Sequence, residues 1–198
     1  MPESFWEKVL WSDETKINIR GSDGRVFCWR NPSAPLRTNH VKPTVKHQKS
    51  VMVWGCFASS GIGNLVIIDG TLTAEKYLGI MKNNISASAS KLIGDSFVYQ
   101  QDNDPKHTAN VCKDWLNSEN IELLTWPSQS PDLNPLENLW SRLKKDIASE
   151  KITNKADLVD ALKKCWNSID QGYCQSLVRS MKARLLEVIR NKGLWTHY

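Results

Sequence analysis

Three acidic residues stand where a carboxylate needs a reason. Asp13 lies in a run where Val9, Trp11, Asp13, Thr15, Ile17 and Ile19 alternate with Ser12, Glu14, Lys16, Asn18 and Arg20. That alternation predicts a half-buried strand, ended by Gly21 and the turn Ser22-Asp23-Gly24, with Asp13 on its apolar side. A carboxylate there is costly unless it has a partner such as a metal. Asp102 follows the apolar run Phe97-Val98-Tyr99, and Glu137 opens an amphipathic helix after a proline-rich loop. Carboxylates from three separate elements can converge on hard divalent cations, which prefer oxygen ligands. Two such ions can activate an attacking oxygen and stabilise a leaving oxygen in phosphoryl displacement. No thiolate or histidine spacing competes with this set.

Each acid also has a plainer reading. Asp13 can pair with a buried arginine, and Asp102 or Asp104 can cap a helix starting at Pro105. Asn134-Pro135-Leu136-Glu137 fits a capping box, in which the glutamate reaches back to the N-cap amide. Around the acids, Lys106 and His107 are candidate phosphate contacts. Asn103 and Asn134 are candidates for hydrogen bonds that support the carboxylates.

The elements that must position these residues are legible in outline. Strands are predicted at 9–19, 25–29 (RVFCW), 50–57 (SVMVWGCF), 64–69 (NLVIID), around 97–99 and at 121–126 (IELLTW). Tyr77, Ile80, Met81, Ile85 and Leu92 predict a helix over 73–92 with Thr73 as N-cap. A second helix is expected from Pro105, with Cys112, Trp115 and Leu116 inward. A third starts at Pro135 on the stripe Leu136, Leu139, Trp140, Leu143 and Ile147. Two tail helices follow, marked by Leu158 to Ile169 and by Leu177, Met181, Leu185 and Ile189. The basic residues of that last helix are read as a solvated face. With 198 residues and no repeat or linker, one domain spanning residues 1–198 is expected.

A net charge of +5 and a pI near 8.9 favour a polyanionic partner only weakly. Five cysteines without a CxxC pair argue for buried thiols in a reducing compartment rather than a disulfide framework or zinc site. No apolar run reaches the length of a bilayer span, so no membrane partner is expected.

Four segments carry a resemblance. VLWSDETK (9–16), PTVKHQKSVMVWGCF (43–57), QQDNDPKHT (100–108) and WPSQSPDLNPLENLW (126–140) resemble the catalytic domain of Tc/mariner transposases, the Tc branch in particular. The 34 residues between Asp102 and Glu137 match that branch's acidic spacing. The resemblance implies an α/β, ribonuclease-H-like fold: a central mixed five-stranded sheet flanked by helices, with a helical C-terminal tail. It implies Asp13, Asp102 and Glu137 as the catalytic, metal-holding acids, with two Mg²⁺ ions, replaceable by Mn²⁺, and no small-molecule cofactor. The reaction implied is cleavage at transposon ends and strand transfer into TA sites. The partners implied are DNA and a second copy of the chain in the DNA complex, and the location is the nucleus.

The resemblance also places a basic insertion at about 22–49, where Arg37, Lys46 and Lys49 are candidate DNA contacts. The family's HGGGS strip reads His47-Gln48-Lys49-Ser50 here, which alters a place of close backbone approach. The family's paired helix-turn-helix modules do not precede residue 1, so this chain is expected to bind DNA weakly. A domesticated or decayed copy that binds DNA or protein without catalysis is the alternative. The intact acids speak against it, and the altered strip leaves room for it.

Overall fold

In the computed structural model, β1 (Val9–Asn18), β2 (Ser50–Ala58), β3 (Gly61–Ile68), β4 (Val98–Gln100) and β5 (Glu122–Leu123) form one mixed sheet. Their order is β3-β2-β1-β4-β5. The structure describes residues 2–19, 33, 35 and 50–198. The strand expected at 25–29, the basic stretch carrying Arg37, Lys46 and Lys49, and positions 47–49 lie outside them.

β1 to β3 form an antiparallel meander, whereas β4 and β5 join parallel to β1. The parallel steps need crossovers. These are α2 (Ala74–Leu92) before β4 and α3 (Asn110–Ser118) before β5. Thr73 caps α2 as expected, its hydroxyl accepting from the Lys76 amide at 3.3 Å. α4 (Pro135–Ile147), α5 (Lys155–Asn167), α6 (Gln171–Arg179) and α7 (Met181–Arg190) follow, after a short α1 (Glu3–Trp6) at the start of the chain.

β1 is more buried than its alternation suggested. Val9, Leu10, Trp11 and Ser12 are all buried, because helices cover both faces of the sheet. Val9, Trp11 and Ile17 join one apolar cluster with Leu139, Trp140 and Trp166. Leu10 joins the other, with Trp54, Tyr77, Ile85 and Tyr99.

Three segment boundaries differ most. The helix expected from Pro105 begins at Asn110, because the Asp104 carbonyl takes the amides of His107 and Thr108 and holds the chain in turns. Asp104 therefore caps a turn and not a helix, its Oδ1 accepting from the Lys106 amide at 2.9 Å. The strand expected over 121–126 is only Glu122–Leu123, since the Trp126 carbonyl accepts from the Asn103 side chain instead. The last tail helix is two, broken at Ser180, whose hydroxyl donates back to the Leu177 carbonyl at 2.6 Å.

Gly55 fixes how the helical layer sits on the sheet. It is the cross-strand partner of Asp13, and a Cβ there would stand 2.7 Å from Trp140 Cη2 and 3.1 Å from Trp166 Cη2. The bare backbone thus leaves a seat for two indoles stacked 5.3 Å apart. Trp140 lies on α4 one turn after Glu137, so this seat also sets where Glu137 is held.

Candidate active site

Strand register brings two of the acids together. Trp11 pairs with Gln100 in the parallel ladder between β1 and β4. Two residues further along each chain come Asp13 and Asp102, which therefore leave neighbouring strands side by side. Glu137 comes from the first turn of α4, which packs over β1 and seats Trp140 opposite Asp13.

The charges register this proximity. Asp13 is pushed well above the ordinary aspartate pKa, first by burial and then by the negative charges of Glu137, Glu14 and Asp102. Its Oδ2 is shut off from water and has no hydrogen-bond partner. Glu137 is exposed, yet the protein crowding its carboxylate raises its pKa as well. Asp102 moves the other way, chiefly because it accepts a hydrogen bond from His107. Among the described residues, no group of three or more His, Cys, Asp and Glu side chains stands closed around an ion position. The donor set nevertheless fits a hard cation: three carboxylates, one with a buried oxygen that nothing on the protein satisfies.

The capping-box reading of Glu137 does not describe this helix start. The Asn134 amide that such a glutamate would reach donates to the Pro131 carbonyl at 3.0 Å. Asn134 itself does cap α4, its Oδ1 accepting from the Leu136 amide at 3.1 Å. It thus supports Glu137 by setting the helix start, not by bonding the carboxylate. Asn103 likewise ties two loops together, donating to the Trp126 carbonyl at 2.8 Å.

His107 is not where a phosphate contact would be. It is 2% exposed and stacks on Tyr77 with ring centroids 3.9 Å apart. Its Nδ1 lies 2.5 Å from Asp102 Oδ1, and its Nε2 3.3 Å from Glu14 Oε2. Burial works against the charged ring, but the bond to Asp102 and the nearby Glu14 carboxylate prevail and push its pKa up to about 9. Beneath it runs a buried polar chain. The Tyr77 hydroxyl donates to Gln101 Oε1 and stands 3.0 Å from the Tyr99 hydroxyl, which in turn meets Ser12 at 2.7 Å. Lys106 is partly exposed and ion-paired with Asp104 at 2.5 Å.

Two functional-site neighbours escape sequence reading. Glu14 follows Asp13 and so points to the opposite face of the strand, where alternation alone marks it as solvated. Arg184, expected on an outer face, is 1% exposed. Its guanidinium donates to the Asp132 carbonyl at 2.6 Å, Asn138 Oδ1 at 2.5 Å and Ser180 Oγ at 2.8 Å. It also lies over the Tyr198 ring at 4.5 Å. Arg184 therefore fastens α7 to the loop and helix that carry Glu137. The only sequence signal was an arginine flanked by Met181 and Leu185 at helical spacing.

The family profile of the DDE superfamily endonucleases matches residues 8–159. The Tcb1 transposase of Caenorhabditis briggsae is 40% identical over 194 residues, covering 98% of this chain and 71% of that protein. The chain belongs to the DDE superfamily endonucleases, in the Tc1/mariner transposase group. The Tc1 transposase of Caenorhabditis elegans is 39% identical over the same shares, and the Tc3 transposase of that organism 34% identical. In fold, this family member superposes on the catalytic domain of the Mos1 mariner transposase with a TM-score of 0.74 at 19% identity, covering 98% of this chain and 86% of that one. On the Mos1 paired-end complex with left transposon end, the TM-score is 0.82 at 19% identity, covering 97% of this chain. This chain spans 57% of the Mos1 chain in that complex. The mixed five-stranded sheet and its helices are thus those of a ribonuclease-H-like transposase catalytic domain.

Proposed function

We propose that this chain cleaves DNA phosphodiester bonds at transposon ends and joins the freed strand into a TA target, in cut-and-paste fashion. Asp13, Asp102 and Glu137 are the residues that hold two Mg²⁺ ions, and Mn²⁺ serves in their place. The single observation that carries the reading is Asp13 Oδ2, a buried and unpartnered oxygen under the influence of two further carboxylates.

When bound, divalent ions at such a site supply positive charge to the attacking and leaving oxygens of an in-line displacement. The protein supplies placement. Asp13 holds its position from the rigid sheet, Asp102 from the end of β4, and Glu137 from the first turn of α4. Hydrolysis and strand transfer differ only in the nucleophile, water or a DNA 3′-hydroxyl, so one carboxylate set serves both. Lys106, Arg37, Lys46 and Lys49 approach phosphates in this reading, and His107 does not. A second copy of the chain joins in the DNA complex, and the work is done in the nucleus. Support comes from the Mos1 neighbours, which include paired-end complexes with Mg and with Mn.

The test is end cleavage by full-length protein carrying Asp102→Asn or Glu137→Gln. Loss of Mg²⁺-dependent cleavage in both is expected. Retained cleavage in either removes that residue from the set.

A further inference from the structure

We propose that His107 and Glu14 are positioning residues that aim Asp102, fixing which of its two oxygens is left for the metal. The inference rests on the reading of Asp102 as a metal-holding acid. Asp102 lies beyond the end of β4 with a half-exposed side chain, where a carboxylate on its own would rotate freely. Here two donors converge on the same oxygen, which resists that rotation. Oδ1 takes the ring Nδ1–H of His107 at 2.5 Å and the Asp104 amide at 3.0 Å. Neither donor goes to Oδ2.

The histidine is itself held at its backbone and on one ring face. Its amide donates to the Asp104 carbonyl at 2.9 Å, and its carbonyl accepts from Gln101 Nε2 at 3.3 Å. Tyr77 stacks against one ring face. Glu14 Oε2 faces the far nitrogen at 3.3 Å, an ion-pair distance at which Nε2 makes no aligned hydrogen bond. Strand alternation explains why Glu14 can do this: consecutive side chains leave β1 on opposite faces. β1 therefore reaches Asp102 twice, through Asp13 beside it and through Glu14 by way of the imidazole. Groups that orient a metal's ligands in this manner change metal affinity by about 10–100-fold when removed.

Calorimetric titration with Mn²⁺, with no DNA present, reads this directly. His107→Asn keeps an N–H near the position of Nδ1, while His107→Gln places its N–H near the position of Nε2. Both lose the ring stacked on Tyr77, so a merely structural role would weaken both alike. The expected result is Mn²⁺ affinity within about threefold of the parent for His107→Asn and a loss of at least tenfold for His107→Gln. Glu14→Gln keeps an acceptor for the ring and stays near parental affinity, whereas Glu14→Leu follows His107→Gln. Thermal melts of each variant identify any that fail to fold, and the Asn/Gln comparison is read between two folded variants. Equal affinities in His107→Asn and His107→Gln, whether both parental or both weakened, overturn the proposal. Asp102→Asn is titrated alongside: parental affinity there would instead overturn the assignment of Asp102 as a metal ligand.

Discussion

Gly55→Ala is the sharpest test of how the helical layer delivers Glu137. The added methyl would stand 2.7 Å from Trp140 Cη2 and 3.1 Å from Trp166 Cη2. Carbon atoms in contact settle at about 3.5–4.0 Å, so the Trp140 ring must retreat by roughly 1 Å. It has little room, being 1% exposed and stacked on Trp166, which is itself pinned by a 2.9 Å bond from its Nε1 to the Gly63 carbonyl. Overpacking of this kind costs about 1–3 kcal/mol. In a domain of this size that is a fall in Tm of roughly 2–12 °C. Because Glu137 sits one turn before Trp140, Mn²⁺-dependent nicking of supercoiled plasmid is expected to fall further than stability does. Trp140→Phe removes the clashing atom and sacrifices no hydrogen bond, since Trp140 Nε1 has no partner. The double variant Gly55→Ala/Trp140→Phe is therefore expected to recover part of both losses, as a double-mutant cycle measures. A Gly55→Ala protein as stable and as active as its parent would refute the argument. Alanine suits a strand better than glycine by roughly 0.5–1 kcal/mol, so without the clash it should gain.

Asp13→Asn is expected to be inactive yet more stable in metal-free buffer at pH 7, by roughly 1 kcal/mol or about 2–4 °C in Tm, because it removes an acid whose ionisation is opposed by burial and by the charges of Glu137 and Glu14. Arg184→Lys is expected to cost about 2–4 kcal/mol in chemical denaturation, since an ammonium cannot span the Asp132 carbonyl, Asn138 and Ser180 as the planar fork does. His107 makes stability depend on alkaline pH. Its folded pKa of about 9 lies above the ordinary value of 6.5, so its contribution is whole below pH 6.5 and disappears as pH rises through 9. That contribution is at most about 3 kcal/mol, and urea midpoints for the parent and His107→Asn should converge across that range. The four described cysteines, Cys56, Cys112, Cys165 and Cys174, are free and buried, so a thiol reagent should label them only as the fold opens.

Much of this was legible because local chemistry and tertiary structure agree. The α4 stripe from Leu136 to Ile147, the Thr73 cap and the apolar strands follow from periodicity and capping, which packing then obeys. Asp13 could be singled out because a carboxylate among Trp11 and Ile17 contradicts its strand's pattern. Contacts set by long-range placement were not legible. Nothing local marks Glu14 as the partner of His107, or turns Arg184 inward, since each depends on an element far along the chain. The start of α3 was misplaced for a similar reason: Pro105 fits a first helical turn, but the Asp104 carbonyl and the His107 ring hold those residues in a turn instead.

The parallel ladder between β1 and β4 has a consequence for how the protein comes into being. Ser12 and Gln100, bonded across it, are 88 residues apart, while the pairings of β1 to β3 join residues closer in sequence. Long loops are closed late, because their entropy must be lost before any contact offsets it. Asp13 is thus expected to join the sheet before Asp102 arrives, and the Arg184 clasp on the Glu137 segment waits for α7. On a chain still being synthesised, Asp13 emerges well before Asp102 and Glu137, so the three acids can meet only after residue 137 has been made.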